Sequence, residues 1–228
     1  MALALIAIAV ILGLAVLPQM WVRSVIARNS QERSDLGGTG GDFARHLLDG
    51  MNMNDVAVEE TELGDHYDPE ARAVRLSRQH YNTRSLAAIV IAAHEVGHAM
   101  QHATGYRPLA ARTRLAKQAD KIQKVGFAMM LAAPLLVLLL KSPALMLVEI
   151  GAGILLLGAT VLMHAFTLPV EFDASYRRAL PVLEAGRFIP ENDMPAAREI
   201  LRAAAFTYVA AAAMSMLDVM RWLRILRF

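Results

Sequence analysis

The sequence predicts a mainly α integral membrane protein, with a small two-stranded β element and a transmembrane helical hairpin between two metal-ligand motifs. Three observations predict this. Long apolar runs lie near the start and in the second half, within a chain that is 56% hydrophobic and has a mean hydropathy of +0.38. A polar stretch separates those runs. Inside that stretch, "HEVGHAMQH" (His94–His102) follows the apolar segment "SLAAIVIAA".

The elements can be taken in order. Residues 1–22 form a nearly unbroken apolar run, about the length that spans a hydrocarbon core. A cleaved leader is the other reading, but it calls for basic residues before the run, whereas Arg23, Arg28 and Arg33 follow it. "GGTGG" (Gly37–Gly41) reads as a flexible entry to a helix from Asp42 to Asp49. As a phosphate loop it lacks the Lys-Ser/Thr pair. Val56–Thr61 and "RAVRLS" read as two strands, and "DHYDP" between them as a turn. Asp65, His66 and Asp68 of that turn are a candidate cation site, although turns favour such residues anyway. Ser85 is the expected N-cap of a helix to Ala103, which Gly105 stops.

Two further apolar spans, Val125–Leu140 and Ala144–Phe166, are separated only by "KSP". Arg112, Arg114, Lys117, Lys121 and Lys124 flank the pair on one side, and Arg177, Arg178 and Arg187 on the other. This charge pattern puts both flanks in the cytoplasm and the turn outside. Glu149 in the third span is read as snorkelling or pairing near the outer interface. The helix from Ala203 to Val219 is barely long enough to span, and Arg221, Arg224 and Arg227 follow it. A helix packed on its neighbours or lying at the interface is the preferred reading, with a fourth span as the alternative.

The net charge of +2 is too small to argue for nucleic acid. With no cysteine, disulfides and thiolate metal sites are excluded, so zinc would need His, Asp or Glu. His94 and His98 are one helical turn apart and share a face. Glu95 is rotated by about 100°, beside such a site rather than in it. In this H-E-x-x-H arrangement the histidines bind zinc and the glutamate takes a proton from water that the metal activates.

A catalytic zinc takes three protein ligands and an open position. His102 is one turn further, about 12 Å beyond His94 along the axis, which is too far for a shared ion. "LPVEFDAS" (Leu168–Ser175) supplies Glu171, and His164 is the other candidate. Glu171 is preferred because the chain returns there to the side of the histidines, although an acid also simply suits a helix start.

At this point a resemblance appears. "SDLGGTGGDFARHLLD", "DHYDPEARAVRLS", "SLAAIVIAAHEVGHAMQHATGYRPLAAR", "LPVEFDASYRRAL" and "AAAFTYVAAAA" occur in this order over nearly the whole chain. The chain resembles the bacterial YugP-type membrane zinc metallopeptidases, and its layout is similar to that of the HtpX-type proteases. The resemblance implies zincin-like catalytic helices and a neutral, gluzincin-like zinc peptidase. Its ligands would be His94, His98 and Glu171, with Glu95 as catalyst. The HtpX-type proteases carry an aspartate four residues after the ligand glutamate. Here that position is Ser175, and the aspartate is Asp173. Only Ser175 shares an α-helical face with Glu171.

The resulting expectation is a membrane-bound zinc endopeptidase acting on polypeptides, possessing one Zn2+ and seated in the lipid bilayer of the bacterial inner membrane, its active site facing the cytoplasm. Its parts are an N-terminal transmembrane helix (1–22), a cytoplasmic catalytic part (23–124), a transmembrane hairpin (125–167) and a cytoplasmic or interfacial helical part (168–228). Ser175, Asp173, Tyr208 and His102 are candidates for outer contacts or for steadying the oxyanion. A substrate would lie against the second strand, Ala73–Ser77. The alternative is a zinc-binding membrane scaffold or chaperone-like factor without proteolysis.

Overall fold

A computed structural model describes residues 16–119 and 166–206, with isolated positions 121, 122, 124, 151 and 163 between them. Its helices are α1 (16–28), α2 (Gly40–Gly50), α3 (Arg78–Asn82), α4 (Leu86–Ala103), α5 (107–119), α6 (166–186) and α7 (194–206). Strands β1 (Ala57–Thr61), β2 (His66–Asp68) and β3 (Ala73–Ser77) form one sheet.

The central helix is α4. Ser85 Oγ accepts from the Ala88 N–H at 3.1 Å and caps its start. Gly105, at φ 62°, ends it. The Gly105 N–H donates to His102 O, and the Tyr106 N–H to Gln101 O, the paired bonds of a Schellman stop. Fifteen of its residues are buried, from Leu86 through Ala99 together with Gln101. Most of its surface is therefore core, packed against α2 on one side and α6 on the other.

The opening of α2 is fixed rather than loose. Thr39 and Asp42 form a reciprocal capping box. A Cβ at Gly40 would lie 2.3 Å from His80 O and 2.9 Å from Ala88 O. Gly40 thus lets α2 approach α3 and α4 closely.

The expectation of an integral membrane fold is corrected here. Among the described residues, no helix is long and apolar enough to cross a membrane. The apolar sides of α2, α4, α6 and α7 are used in one core, with Leu48, Val90, Leu183, Ile200 and Leu201 fully buried. The runs expected to span at 1–22, 125–140 and 144–166 fall mostly outside the described residues. So do Glu149, His164, Tyr208 and most of the C-terminal helix.

The β element is also corrected, from two strands to three. The order is β1-β3-β2, with β1 parallel and β2 antiparallel to β3. "HYD", expected within a turn, pairs with Ala73–Arg75 and buries Tyr67 between two half-buried neighbours. Three residues are too few for alternation to stand out in a sequence. Strand β3 lies between the other two, so both its edges are bonded. A peptide cannot pair with it, and the placement expected for the substrate is withdrawn.

The turn residues serve the fold. Asp65 accepts from the Ser77 N–H at 2.8 Å and Ser77 Oγ at 3.0 Å, and it meets His80 Nδ1 at 2.7 Å. Asp68 accepts from the Glu70 and Ala71 N–H groups and pairs with Arg75. Burial alone would raise the Asp65 pKa, but His80 and Ser77 outweigh it and hold the carboxyl below its ordinary 3.8. A depressed carboxyl adds stability above its unfolded pKa and loses it as pH falls through the folded value. We therefore expect Asp65→Asn to destabilise the protein by about 2 kcal/mol at neutral pH. Thermal melts should show that deficit shrinking below pH 4, where the wild type also protonates.

Candidate metal centre and cavity

His94, Glu95 and His98 sit in the buried middle of α4, and Glu171 comes from α6 across the interface. One glycine sets how close these helices lie. A Cβ at Gly97 would be 2.8 Å from Ala174 O, with the Ala174 Cα and carbonyl carbon at 3.4 Å. Only a bare α-carbon lets α6 approach this far. Gly97→Ala should cost about 1–3 kcal/mol by overpacking and weaken metal binding by moving Glu171, which calorimetric melts and metal titration would check.

Glu171 Oε2 lies 3.1 Å from His94 Nε2 and 3.3 Å from His98 Nε2. The donor atoms of all three residues lie within 4.8 Å of one another, and all three are buried. The other ring nitrogens are engaged elsewhere. Ser175 Oγ donates to Leu201 O at 3.1 Å, so at 3.0 Å from His94 Nδ1 it accepts. Gln101 Nε2 donates to Val170 O and Asp173 Oδ2, both at 2.8 Å, which turns its Oε1 towards His98 Nδ1 at 2.9 Å. Both histidines therefore carry Nδ1–H, as the surrounding network assigns it. Their Nε2 lone pairs then face a carboxylate oxygen, an arrangement that repels unless a cation or an added proton lies between.

That donor set fits a metal. Tetrahedral zinc with bonds of about 2.0 Å needs donors about 3.3 Å apart, close to the two distances given above. Glu171 Oε1 is buried without a hydrogen bond, and Arg112 Nη1 lies 3.3 Å from it.

Asp173 and Ser175 both serve the site because α6 changes its winding. Residues Asp173–Ala179 form a π-helical segment. The Leu180 N–H donates to Ser175 O five residues back, and Arg178 Nε donates to Asp173 Oδ2 at 2.8 Å over the same spacing. Pro181 follows at once, and its missing N–H and its ring favour re-registered bonds just ahead of it. Ser175 then reaches His94 directly, while Asp173 reaches His98 through Gln101. Ser175→Ala and Gln101→Leu should each weaken metal affinity about 10- to 100-fold, measured by competition with a chelator.

Glu95 borders the same space. Its carboxyl is pushed up to about 7, first by burial, with His94 and Arg112 opposing and Glu171 and Asp65 adding to the rise. Glu171 moves the other way. Burial would raise it, but His98 and His94, with a proton on Nε2 in place of a metal, hold it well below the usual carboxylate range. Two carboxyl groups one helix apart are thus separated in role by their neighbours. His102 lies apart from them, with its Nδ1 2.7 Å from the Tyr67 hydroxyl.

A cavity of about 360 Å³ opens onto the three ligand candidates and Glu95. Ile26, Ile91 and Ile200 line its apolar wall. Asp65, His66 and Arg112 line the polar side. Sequence reasoning missed Gln101 and Arg112. The one available signal for Gln101 was its place three residues after His98, on the same helical face.

Comparison with known proteins agrees with this geometry. Residues 4–227 match a family described as "Putative neutral zinc metallopeptidase". The chain belongs to this family. It is also 42% identical over 219 residues to "Putative membrane protease YugP" of Bacillus subtilis (strain 168), covering 94% of this chain and 92% of that protein. No solved structure matches. A zinc metallopeptidase family thus contains a chain whose buried His, His and Glu side chains could hold a metal ion.

Proposed function

We propose that the protein is a zinc-dependent endopeptidase acting on proteins or peptides at the inner membrane of a bacterium, with its active site facing the cytoplasm. The observation that carries the chemistry is the convergence of His94 Nε2, His98 Nε2 and Glu171 Oε2 beside the buried Glu95, at the floor of a cavity. The membrane setting is carried over from the name of the Bacillus subtilis relative.

His94, His98 and Glu171 would hold the zinc. Bound zinc supplies a Lewis acid that makes water nucleophilic at neutral pH. Glu95 accepts a proton from the attacking water as its oxygen bonds to the scissile carbonyl carbon. The carbonyl π pair moves onto oxygen. When the C–N bond breaks, Glu95 passes the proton to the leaving nitrogen, so the acid returns to its starting form. A carboxyl near neutrality suits both transfers, and a nearby cation shifts it towards the base form. Ser175 and Gln101 hold the two imidazoles in the tautomer that leaves Nε2 for the metal. The substrate would lie along the outer edge of β2, whose His66 and Tyr67 line the cavity.

A zinc-binding scaffold would instead need a closed set of four ligands. Among the described residues three such groups converge. The experiment is cleavage of unfolded casein by the full chain. Removing zinc with a chelator should abolish cleavage, and adding zinc should restore it. A peptide hydroxamate should inhibit. Cleavage that survives full zinc removal would refute the proposal.

A further inference from the structure

Bound zinc would take up part of the negative charge that develops on the carbonyl oxygen, but none of the side chains assigned so far donates a hydrogen bond to it. Glu95 and Glu171 are acids, and the two histidines direct lone pairs at the metal. Tyr208, the expected candidate, lies outside the described residues. We propose that Arg112, on α5, is the residue that stabilises this oxyanion, because its guanidinium lines the cavity against the ligand Glu171.

Several observations place it there. Arg112 Nη1 lies 3.3 Å from Glu171 Oε1, the carboxylate oxygen turned away from the histidines. That oxygen has no hydrogen bond, so Arg112 meets it as an ion-pair neighbour. The Arg112 side chain is 24% exposed, against 2% for Glu171, which puts it at the boundary between site and cavity. Arg112 and Glu95 both line the cavity. Arg112 is therefore near both the base and a ligand, where charge appears on the carbonyl oxygen. An arginine stays protonated at any working pH and presents several donors in one plane. Held in a partly closed site, such a donor acts more strongly on a developing charge than it would in water.

The chain also explains the placement. The Schellman stop at Gly105 ends α4, and α5 starts two residues later and carries Arg112 to the Glu171 carboxylate. Arg112 comes one and a half turns into α5.

The inference rests on the endopeptidase reading, and the test separates the two. Wild type, Glu95→Gln, Arg112→Ala and Arg112→Lys are prepared as full chains. Zinc content is measured alongside kcat and KM on a quenched-fluorescence peptide cut from casein. Arg112→Ala should keep its zinc, leave KM within about threefold and lower kcat about 100- to 1,000-fold. Arg112→Lys should recover part of that loss, and added guanidinium ion should partly rescue the alanine variant. A phosphinic peptide that mimics the tetrahedral species should bind Arg112→Ala more weakly by a similar factor. The inference is overturned if Arg112→Ala retains kcat, or if it loses zinc in proportion to activity, which would make Arg112 a support for Glu171. If the wild type and Glu95→Gln cleave equally, the endopeptidase reading falls and this one with it. If only the arginine variants behave like wild type, this inference alone falls.

Discussion

Glu95→Gln should bind zinc like the wild type and cleave unfolded protein about 1,000-fold more slowly or worse. The amide has nearly the same volume as the carboxyl, so the packing around the 6%-exposed side chain is kept. Its nitrogen and oxygen can still hydrogen-bond, but the group cannot accept a proton at neutral pH. The variant should be slightly more stable than the wild type without metal. Burial raises the Glu95 pKa to about 7, so ionising it in the folded state costs free energy that the amide does not incur. This cost falls in the window above the unfolded pKa of 4.5 and grows as pH rises to the folded value. Melting curves at pH 5 and pH 8 would show it as a stability gain for the variant at the higher pH.

Glu171→Ala should lose most of its bound zinc. Its carboxylate faces both histidines, and among the described residues it is the acid whose oxygen groups with their ring nitrogens. The loss should exceed the 10- to 100-fold expected of Ser175→Ala and Gln101→Leu, which only orient the imidazoles. Stability should report the same event. Zinc at about 100 times its dissociation constant stabilises a folded protein by about 2.7 kcal/mol, and the variant should show almost none of that gain. Elemental analysis of the purified chains and melts with and without zinc would measure both effects.

The parts of the site that were legible in the sequence are those set by local geometry. His94 and His98 share a face because an α-helix repeats every 3.6 residues, and Ser85 and Gly105 mark the ends of that helix through capping and the left-handed stop. Glu171 lies 77 residues from His94. It was reachable only through chemistry, because a catalytic zinc needs a third ligand and this acid stands where the chain returns. Arg112 and Gln101 gave no comparable signal. An arginine in an exposed basic helix and a glutamine behind a histidine acquire roles only when α5 and α6 fold against α4. The π-helical turn was also hidden. On α-helical spacing Asp173 points away from Glu171, and it takes the widened segment Asp173–Ala179 for Asp173 and Ser175 to serve different histidines.

The fold was less legible than the site for a physical reason. An apolar run reads the same whether its partner is lipid or protein. The helix Leu86–Ala103, expected in the catalytic part outside the bilayer, shows how apolar a helix buried in a protein core can be, and it carries its two histidines and Glu95 there. Strand β2 failed for the opposite reason, since three residues are too short for any period to appear.

The most direct test of the central claim is X-ray absorption at the zinc edge on the full chain, with and without a peptide hydroxamate. The account predicts two imidazole nitrogens with all remaining ligands oxygen. It also predicts that the hydroxamate changes the oxygen shell while both imidazoles stay. A shell with a different number of imidazoles, or one that the hydroxamate leaves unchanged, would contradict a catalytic centre built from His94, His98 and Glu171.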